Sequence, residues 1–594
     1  MTIYKLSKYF SCLLLSLSTV TTQAIEFNEN LKKDQSISFN FHDVRDDVQK
    51  QGDRDPYAIH TKNLTAFFDW LSTSKWNPVT LQQILDAKEG KHPLPPNAVL
   101  LTFDDGTLSN YTHVFPLLKQ YKIHAVFAIV TSWIDGRNSG GETAYGKKNL
   151  VSWDQLKEMQ HSGLVEFASH SDQLHQGILA NPQNNLEPAA ITRQYFIKEN
   201  RYENDDEYYN RIITDLKISK QRLDHELNIQ TNTIIWPYGA VTPESEKIAK
   251  DAGLPLSFSL GRSGINSAHD GTLKRLLVTD NAKAETLKEE LLNLTHYHED
   301  LITDQKHSIQ FSLDDLISQP TNDVNNNLGL FLNYVQALSV NRIFINTIQD
   351  SSEGPVTFFP NKVFPIKMDL FNRTIWQSKT RLFLSAYASI PMHYFYANPT
   401  HLNTFVQNLM KNNTGISGLD LDFGDQLYNN FIANENAQWF EKLQHIKATA
   451  EYLSNVSTTF NIVLHGQVSL TEMPAFKQKL AYLTHSFNYI NINIPTLTNS
   501  KESHAWINTL KDIPQHQKNK LIVSLNIKNI NQAKLWETAQ NFLQELERIG
   551  IHNINIQPYT LAKAADIQKH LYFPLSENSS PLSYRNPFPE GESL

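Results

Sequence analysis

Cysteine is almost absent from this sequence. The 594-residue chain contains one cysteine, Cys12, and that residue lies within the first 24 positions. A single cysteine cannot form an intramolecular disulfide, so the fold must be stabilised by hydrophobic cores large enough to do without cross-links. At this length, two domains of roughly 250 residues each are expected.

Long apolar runs and excess basic charge are also missing. After the N-terminal stretch, no segment is long and apolar enough to span a bilayer, so we expect no transmembrane segment. The formal net charge is -8, from 53 basic and 61 acidic side chains. A nucleic-acid-binding protein normally presents a basic face, so the charge argues against a nucleic-acid partner.

Residues 1–24 have the pattern of a secretory signal peptide. Lys5 and Lys8 precede the short apolar stretch "SCLLLSLSTV", and small residues at Thr22 and Ala24 follow it. This pattern predicts export and cleavage after Ala24. A lipoprotein would carry its cysteine after the apolar stretch, whereas Cys12 lies at its beginning, so we expect no lipid anchor.

Short apolar segments alternate with helical patterns in two successive series. The first series contains "SISFNF", "AVLLTF", "HAVFAIV", "LVEFAS", "NTIIWPYG" and "LPLSFSL", and the helix-like "KAETLKEELL" closes it. The second contains "SIQFSL", "NRIFINTI", "TRLFLSAY", "ISGLDLDF", "FNIVLHG", "YININIP", "KLIVSLNI" and "NINIQPY". Such alternation predicts an α/β fold with parallel strands, and eight strands in the second series match a (β/α)8 barrel. The predicted boundaries are a signal peptide at 1–24, a first domain at 25–296, a linker at 297–306, a barrel at 307–575 and a polar tail at 576–594.

Two adjacent carboxylates, Asp104 and Asp105, follow the strand-like "AVLLTF". Adjacent like charges repel unless a cation lies nearby. His170 and His175, which can help to bind one, follow the strand-like "LVEFAS". Function in such folds is concentrated at the carboxyl ends of the strands. Two histidines and one carboxylate form a known ligand set for a catalytic divalent metal, and the second carboxylate can act as a general base. The ligand types leave zinc, nickel, cobalt and iron open.

Two further segments belong to the same pattern. "WPYG", which is Trp236, Pro237, Tyr238 and Gly239, follows another strand-like segment, and His42 follows "SISFNF". Hydrolysis of an amide needs an acid that protonates the leaving nitrogen, and His42 is the candidate. The alternative is that the Asp-Gly pair is a turn and the histidines are surface residues, but the combined pattern favours a catalytic site.

The motifs "TFDDG", "SHSDQLH" and "WPYG" resemble those of the NodB-type polysaccharide deacetylases. Members of that family usually carry a late Leu-x-x-His acid motif, which is absent between residues 240 and 300. Because His42 precedes "TFDDG" here, the order resembles that of the circularly permuted periplasmic poly-β-1,6-N-acetylglucosamine deacetylases of biofilm systems. "FHDVRDDV", "LPPNAVLLTFDDG", "VEFASH", "YFIKENRYENDDEY", "WPYGA" and "FFPNKVFPIKMDLFNR" match that group.

The resemblance implies a circularly permuted NodB-type deacetylase (β/α) barrel followed by a second, glycoside-hydrolase-like (β/α)8 barrel. It implies that Asp105, His170 and His175 are metal ligands, that Asp104 is the general base and that His42 is the general acid. The backbone N–H of Tyr238 would be the oxyanion donor. Trp236, Pro237 and Gly239 would contact the substrate. The implied function is metal-dependent partial deacetylation of the polymer in the periplasm, in support of its export, with an outer-membrane porin as a partner. Peptidoglycan or chitin oligomers as substrate, or a non-catalytic binding and export module, stay open as alternatives.

The second domain departs from the family at the strand where some members carry a probable catalytic acid. The family's His-Asp-Asp positions fall on Asp422, Phe423 and Gly424 of "GLDLDFGD". Asp420 and Asp422 share one face of that strand, and Asp315 is expected beside them at the barrel mouth. With Tyr387 available for stacking on sugars, we expect a barrel that binds the polymer and does not cleave it.

Overall fold

A computed structural model of the chain describes residues 30–49, 53–261, 265–296, 306–317, 323–423, 437–454, 461–467 and 469–576. The predicted signal peptide with Cys12, most of the predicted linker and the tail after residue 576 lie outside these described residues. None of the helices in the described segments combines the length and the apolar character that a bilayer crossing requires.

The first domain is built around parallel strands that close on themselves. These strands are β1 (Gln35–Phe41), β2 (Ala98–Phe103), β3 (Ala125–Ile129), β4 (Val165–Ser169), β5 (Thr233–Ile235), β6 (Leu256–Leu260) and β7 (Thr272–Leu277). Each strand pairs in parallel with the next, and β1 closes the ring between β2 and β7. Both faces of the strands are covered, which explains near-continuous apolar sequences such as "AVLLTF".

Helices surround this barrel. The helices are α1 (Thr61–Thr73), α2 (Leu81–Lys88), α3 (Phe115–Tyr121), α4 (Thr131–Ile134), α5 (Gly140–Tyr145), α6 (Trp153–His161), α7 (Asp205–Leu227), α8 (Pro243–Asp251) and α9 (Ala284–His296). A π-helical turn at Asn110–Val114 leads into α3. Capping boxes begin α2, α6, α7 and α8, so the local sequence itself specifies where these helices start.

Short strand pairs and single-turn helices complete the elements. The pairs are Val44–Arg45 with Ile59–His60, Gly177–Leu179 with Leu186–Pro188, Tyr195–Phe196 with Arg201–Tyr202, and Ile348–Ser351 with Gly354–Thr357. Asn77–Pro78 and Ile265–Ser267 extend the first sheet beside β2 and β1. The single-turn helices are Pro237–Gly239, Met392–Phe395 and Leu561–Lys563.

The second domain is a closed parallel barrel. Its strands are β8 (His307–Ser312), β9 (Arg342–Asn346), β10 (Ser385–Pro391), β11 (Gly418–Asp422), β12 (Asn461–Gln467), β13 (Tyr489–Ile494), β14 (Leu521–Asn526) and β15 (Asn553–Tyr559). Each of the eight segments predicted from the sequence overlaps one of these strands. The predicted fold class, a NodB-type barrel followed by a second (β/α) barrel, is confirmed.

Helices on the outside of the second barrel bury the apolar faces of its strands in one continuous core. They are α10 (Asp314–Ile317), α11 (Val324–Leu338), α12 (Phe371–Leu382), α13 (Pro399–Asn412), α14 (Ala437–Leu453), α15 (Met473–Ser486), α16 (Ser500–Leu510), α17 (Gln515–Lys518), α18 (Ala533–Arg548) and α19 (Ala564–Leu575).

Strand β7 is the main element that the sequence patterns did not predict. Its sequence "TLKRLL" carries Lys274 and Arg275, and charged residues obscure a strand signal. Arg275 is nevertheless only 1% exposed, because its side chain points into the barrel. A charged residue so deeply buried needs a partner, which the candidate active site supplies.

The two domains contact each other through the segment of the first domain that follows β4. Asn181 Nδ2 donates to Asn372 Oδ1 at 2.5 Å, and Gln183 Nε2 donates to the carbonyl of Asp369 at 2.6 Å. Arg373 Nη1 donates to the carbonyl of Gln183 at 3.0 Å. These hydrogen bonds fix the beginning of α12 against the first domain.

Gly239 is a position where the loop after β5 depends on glycine. Its φ is +64°, and a Cβ there would lie 2.7 Å from the backbone nitrogen of Leu260. We expect Gly239→Ala to lose about 2–4 kcal/mol of unfolding free energy, from backbone strain plus steric overlap. The thermal unfolding midpoint measures the loss.

Gly90→Ala is the matched control for that substitution. Gly90 has a similar φ of +71°, but nothing lies within 4 Å of a Cβ there. It should therefore lose only the strain contribution of about 1–2 kcal/mol. Equal losses in the two variants would contradict the close packing of Gly239 on Leu260.

Candidate active site and metal centre

The sequence-predicted residues of the first domain converge at the carboxyl ends of its strands. His42 directly follows β1, Asp104 follows β2, His170 follows β4 and Trp236 follows β5. In a parallel barrel these strand ends form a single face, where function is concentrated. One ligand atom each from Asp105, His170 and His175 lies within 4.8 Å of the others.

Asp104 is held by a buried arginine. Arg275 Nη1 donates to Asp104 Oδ1 at 2.7 Å, and Arg275 Nη2 donates to Asp104 Oδ2 at 3.0 Å. Arg275 Nη1 also donates to Thr102 Oγ1 at 2.8 Å. Burial alone would raise the pKa of Asp104, but the charges of Arg275 and then His170 hold it below its ordinary value. Asp104 is therefore an oriented, ionised carboxylate.

Asp105 points in a different direction. Its φ of +76° turns the backbone directly after Asp104, and Tyr145 donates its hydroxyl hydrogen bond to Asp105 Oδ2. Asp105 Oδ1 lies 3.4 Å from His170 Nε2 and 3.2 Å from His175 Nε2. Burial favours the protonated form, but the interaction with His175 and the contacts with both histidines hold the pKa of Asp105 well below its usual range.

The protonation of His170 shows that these three side chains fit a metal ion. His170 Nδ1 lies 2.6 Å from the carbonyl oxygen of Ile235, and a carbonyl can only accept, so Nδ1 carries the proton. In the neutral ring, Nε2 therefore presents a lone pair toward Asp105 Oδ1, which is buried and has no hydrogen-bond partner. Two lone pairs that face each other repel, and a metal ion bound between them would remove that repulsion.

The distances agree with that interpretation. The separations of 3.4 and 3.2 Å match the edge of a tetrahedron, about 3.3 Å, around an ion bound at about 2.0–2.1 Å.

The site also attracts positive charge. Although burial lowers the pKa of His170, the charge of Asp104 and the contact with Asp105 raise it overall.

Aromatic rings enclose His175. The indole of Trp133 and the ring of Tyr238 lie with their centroids 4.7 and 4.6 Å from the His175 ring. Trp133 is buried, whereas Tyr238 is 51% exposed. These rings fix the imidazole and place Tyr238 at the boundary between the site and solvent.

Three loops of the site carry non-glycine residues in the left-handed region. Asp105, Ser171 and Tyr238 have φ values of +76°, +70° and +59°. Each residue lies one to three positions after the end of a barrel strand. Such strain persists only where the surrounding structure enforces it, and it is concentrated at functional sites. Here it turns the chain so that neighbouring side chains face the same centre.

His42 lies at the edge of this centre. Its imidazole is close enough to help lower the pKa of both Asp104 and Asp105. His42 Nδ1 is buried and has no hydrogen-bond partner, and the ring of Tyr57 lies 5.2 Å away. The imidazole thus lies near the two aspartates, and no described group occupies its Nδ1.

Three of the expected substrate contacts are buried in the structure. Trp236 is fully buried, and its indole nitrogen donates to Ser257 Oγ at 2.8 Å. Pro237 and Gly239 are buried as well. These residues shape the loop after β5, and only Tyr238 of this motif is exposed to a substrate.

The second barrel requires a similar correction. Asp420 is fully buried and accepts from Ser389 Oγ at 2.9 Å, while Tyr387 is 2% exposed and packs 4.6 Å from the guanidinium of Arg342. Both side chains are buried, so neither is accessible at the barrel mouth. Asp315 accepts from the backbone N–H of Leu561 at 2.6 Å, and Asp422 is half-buried at the end of β11. The nearby Asp425 lies outside the described residues.

Sequence patterns missed three residues of the site. Arg275 lies in the unpredicted strand β7, and its signal was a charged pair within an otherwise apolar segment. Tyr145 and Trp133 lie in short helices after β3, where no spacing distinguishes them from ordinary surface aromatics. Only the fold brings them to Asp105 and His175.

Comparisons with known proteins find similarity in both domains. The family described as polysaccharide deacetylase matches residues 91–257, and the hypothetical glycosyl hydrolase family 13 matches residues 310–418. A poly-beta-1,6-N-acetyl-D-glucosamine N-deacetylase from Escherichia coli O157:H7 is 31% identical over 375 residues, which cover 61% of this chain. This chain spans 54% of that relative's length. A Staphylococcus aureus protein of the same name is 27% identical over 233 residues, covering 39% of this chain and 71% of the relative.

Solved structures show similarity to the first domain. The BpsB deacetylase domain from Bordetella bronchiseptica is 42% identical, with a TM-score of 0.37, and covers 41% of this chain and 96% of that one. A de-N-acetylase from Aggregatibacter actinomycetemcomitans is 36% identical, with a TM-score of 0.39, and covers 43% of this chain and 100% of that one. Residues 91–257 thus match the polysaccharide deacetylase family, and the chain is similar to the poly-beta-1,6-N-acetyl-D-glucosamine N-deacetylases.

Proposed function

We propose that this chain is a metal-dependent deacetylase of poly-β-1,6-N-acetylglucosamine. The observation that carries the proposal is the convergence of His170 Nε2 and His175 Nε2 on Asp105 Oδ1, beside an aspartate that Arg275 keeps ionised. The names of the relatives favour this polymer over peptidoglycan or chitin oligomers. Only part of the acetyl groups is removed in the proposed reaction.

Asp105, His170 and His175 would hold a divalent ion: zinc, nickel, cobalt or iron. Such an ion, when bound, acidifies water and polarises the acetyl carbonyl. Tyr145 fixes the second oxygen of Asp105, and the carbonyl of Ile235 fixes the orientation of His170. Outer contacts of this kind hold ligands in place for the metal.

Asp104 would act as the general base. Its carboxylate accepts a proton from the attacking water, and its pairing with Arg275 keeps it ionised and correctly oriented for that step. A positioned base typically contributes about 10²–10⁴ in rate. Arg275 acts through Asp104, so it is a positioning residue.

His42 and Tyr238 would complete the reaction. His42 protonates the leaving nitrogen, so that acetate and a free amine are produced. The backbone N–H of Tyr238 stabilises the negative charge that develops on the acetyl oxygen. A well-placed donor of this kind typically raises kcat by about 10²–10³. The left-handed backbone of Tyr238 sets the direction of this loop.

The second barrel would bind the polymer without cutting it. A glycosidase requires two carboxyl groups on either side of the bond. On β11, Asp420 is fully buried, which leaves Asp422 at the mouth among the described residues of that strand.

Because residues 1–24 have the pattern of a signal peptide, we place the protein in the periplasm. There it would support export of the polymer through an outer-membrane porin.

Asp104→Asn tests the proposed chemistry. The variant loses the proton acceptor but keeps all three proposed ligands. We expect kcat for acetate release to fall by about 10²–10⁴ while the metal content stays at the wild-type level. Acetate is measured with β-1,6-linked N-acetylglucosamine oligomers, and metal by elemental analysis.

Asp105→Asn is the matched control, and it should lose the metal as well as the activity. If instead Asp104→Asn loses the metal and Asp105→Asn keeps it, the two aspartates have exchanged roles. Equal or faster acetate release from β-1,4-linked chitin oligomers would contradict the proposed substrate.

The length of the polymer tests the second barrel. The full chain should deacetylate poly-β-1,6-N-acetylglucosamine without shortening it, because Asp422, Phe423 and Gly424 replace the family's His-Asp-Asp. Mass spectrometry of the products measures their length. Shorter products that disappear in Asp422→Asn would show that the barrel cleaves the polymer.

A further inference from the structure

A cleft of about 210 Å³ lies between the two domains, next to the candidate active site. The first domain contributes Pro188, Ile191 and Tyr238, and helix α12 of the second barrel contributes Trp376, Lys379 and Thr380. This volume is below the roughly 300–1,000 Å³ of pockets that enclose a whole drug-sized ligand. The cleft therefore suits one sugar ring of a longer chain that continues into solvent.

Tyr238 connects the cleft with the reaction centre. It lines the cleft, and its ring centroid lies 4.6 Å from that of His175. Its backbone N–H is also the proposed oxyanion donor. A polymer unit in the cleft would thus lie beside the unit whose acetyl group reacts.

The two walls suit a pyranose ring. Trp376 is half-buried on one wall, and Pro188 and Ile191 present apolar surface from the other. Apolar walls with a few polar groups are typical of small-ligand sites, and aromatic faces pack well on flat apolar surfaces. Thr380 and Lys379 supply donors for hydroxyl and acetyl oxygens.

The width of the cleft is set by hydrogen bonds at the start of α12. Asn181 and Gln183 of the first domain bond to Asn372 and Asp369, as described above. Tyr202 also donates to the carboxylate of Asp369. Because α12 carries Trp376 and Lys379 one to two turns later, these contacts fix both side chains relative to Tyr238. The cleft is therefore preorganised for binding.

The charge of the cleft disfavours a cationic sugar. Lys379 is the cation among the described lining residues, and no carboxylate lines the cleft. Burial lowers the pKa of Lys379, whereas the charge of the nearby Glu187 raises it. Glu187 is 2% exposed, and burial raises its pKa to about 8, so this carboxyl attracts a glucosammonium group less than an ordinary carboxylate would. An N-acetylated unit is neutral and meets no such repulsion.

We propose that this interdomain cleft is the subsite for the sugar next to the one being deacetylated, and that it selects an N-acetylated unit over glucosamine. The proposal rests on the proposed deacetylase function. It assigns α12 of the second barrel a direct part in substrate binding. It also predicts spaced deacetylation, because a unit that has lost its acetyl group no longer suits the cleft.

Trp376→Ala in the full chain tests the subsite. We expect kcat/KM for a β-1,6-linked N-acetylglucosamine pentamer to fall about tenfold, because one aromatic contact with the sugar is lost. Turnover of an aryl acetate ester, which has an acetyl group but no sugar chain, should stay at the wild-type level. Trp376→Phe should retain most of the pentamer activity.

Phe383→Ala is the matched control, since Phe383 directly follows α12, is 87% exposed and does not line the cleft. It should behave as wild type with both substrates. Equal pentamer kcat/KM for wild type and Trp376→Ala would overturn the subsite and leave the proposed function standing. Loss of both activities in Trp376→Ala would also overturn it. A wild-type protein that releases no acetate from the pentamer would overturn the proposed function, and the subsite with it.

Lys379→Gln tests the selection against glucosamine. Sequencing of the pentamer products by mass spectrometry should find few adjacent glucosamine units with wild type and about tenfold more with Lys379→Gln, at a similar thermal unfolding midpoint. An unchanged product pattern would overturn the charge selection.

Discussion

The site is organised around the buried pair of Arg275 and Asp104. Two adjacent carboxylates at a buried strand end would repel each other and favour their protonated forms. Arg275 neutralises the first through a two-pronged contact, and the left-handed turn at Asp105 directs the second toward the histidines. Breaking such a buried pair typically costs about 3–5 kcal/mol, because one charge is left without compensation. The ion pair therefore allows two consecutive residues to have different roles, with Asp104 as the proposed base and Asp105 as a proposed metal ligand.

The closure of the first barrel brings these parts together. Strand β1 comes first in the chain, yet it lies between β2 and β7, so the residue that follows it reaches the same mouth as Asp104. Strand β7 comes last and carries Arg275. The proposed acid and the positioning arginine thus come from the two ends of the domain and meet through strand pairing. The same mouth continues onto α12 of the second barrel through Tyr238.

Sequence patterns predicted much of this arrangement, and the exceptions have physical causes. The strands of both barrels were recognisable because parallel strands covered on both faces are almost wholly apolar. Strand β7 was missed because Lys274 and Arg275 interrupt that signal. The predicted ligands Asp105, His170 and His175 come together, since each follows a strand end. Trp236, Tyr387 and Asp420 were expected to contact substrate but are buried. Residue type alone does not tell how deeply a side chain at or near a strand end is enclosed.

The central claim is that Asp105, His170 and His175 hold a metal ion beside an ionised Asp104. Anomalous diffraction from crystals of the purified protein, recorded at the absorption edges of zinc, nickel, cobalt and iron, tests it most directly. We expect one anomalous peak, within bonding distance of Asp105 Oδ1 and of Nε2 of both histidines. An active protein whose crystals show no anomalous peak among these three side chains would contradict it.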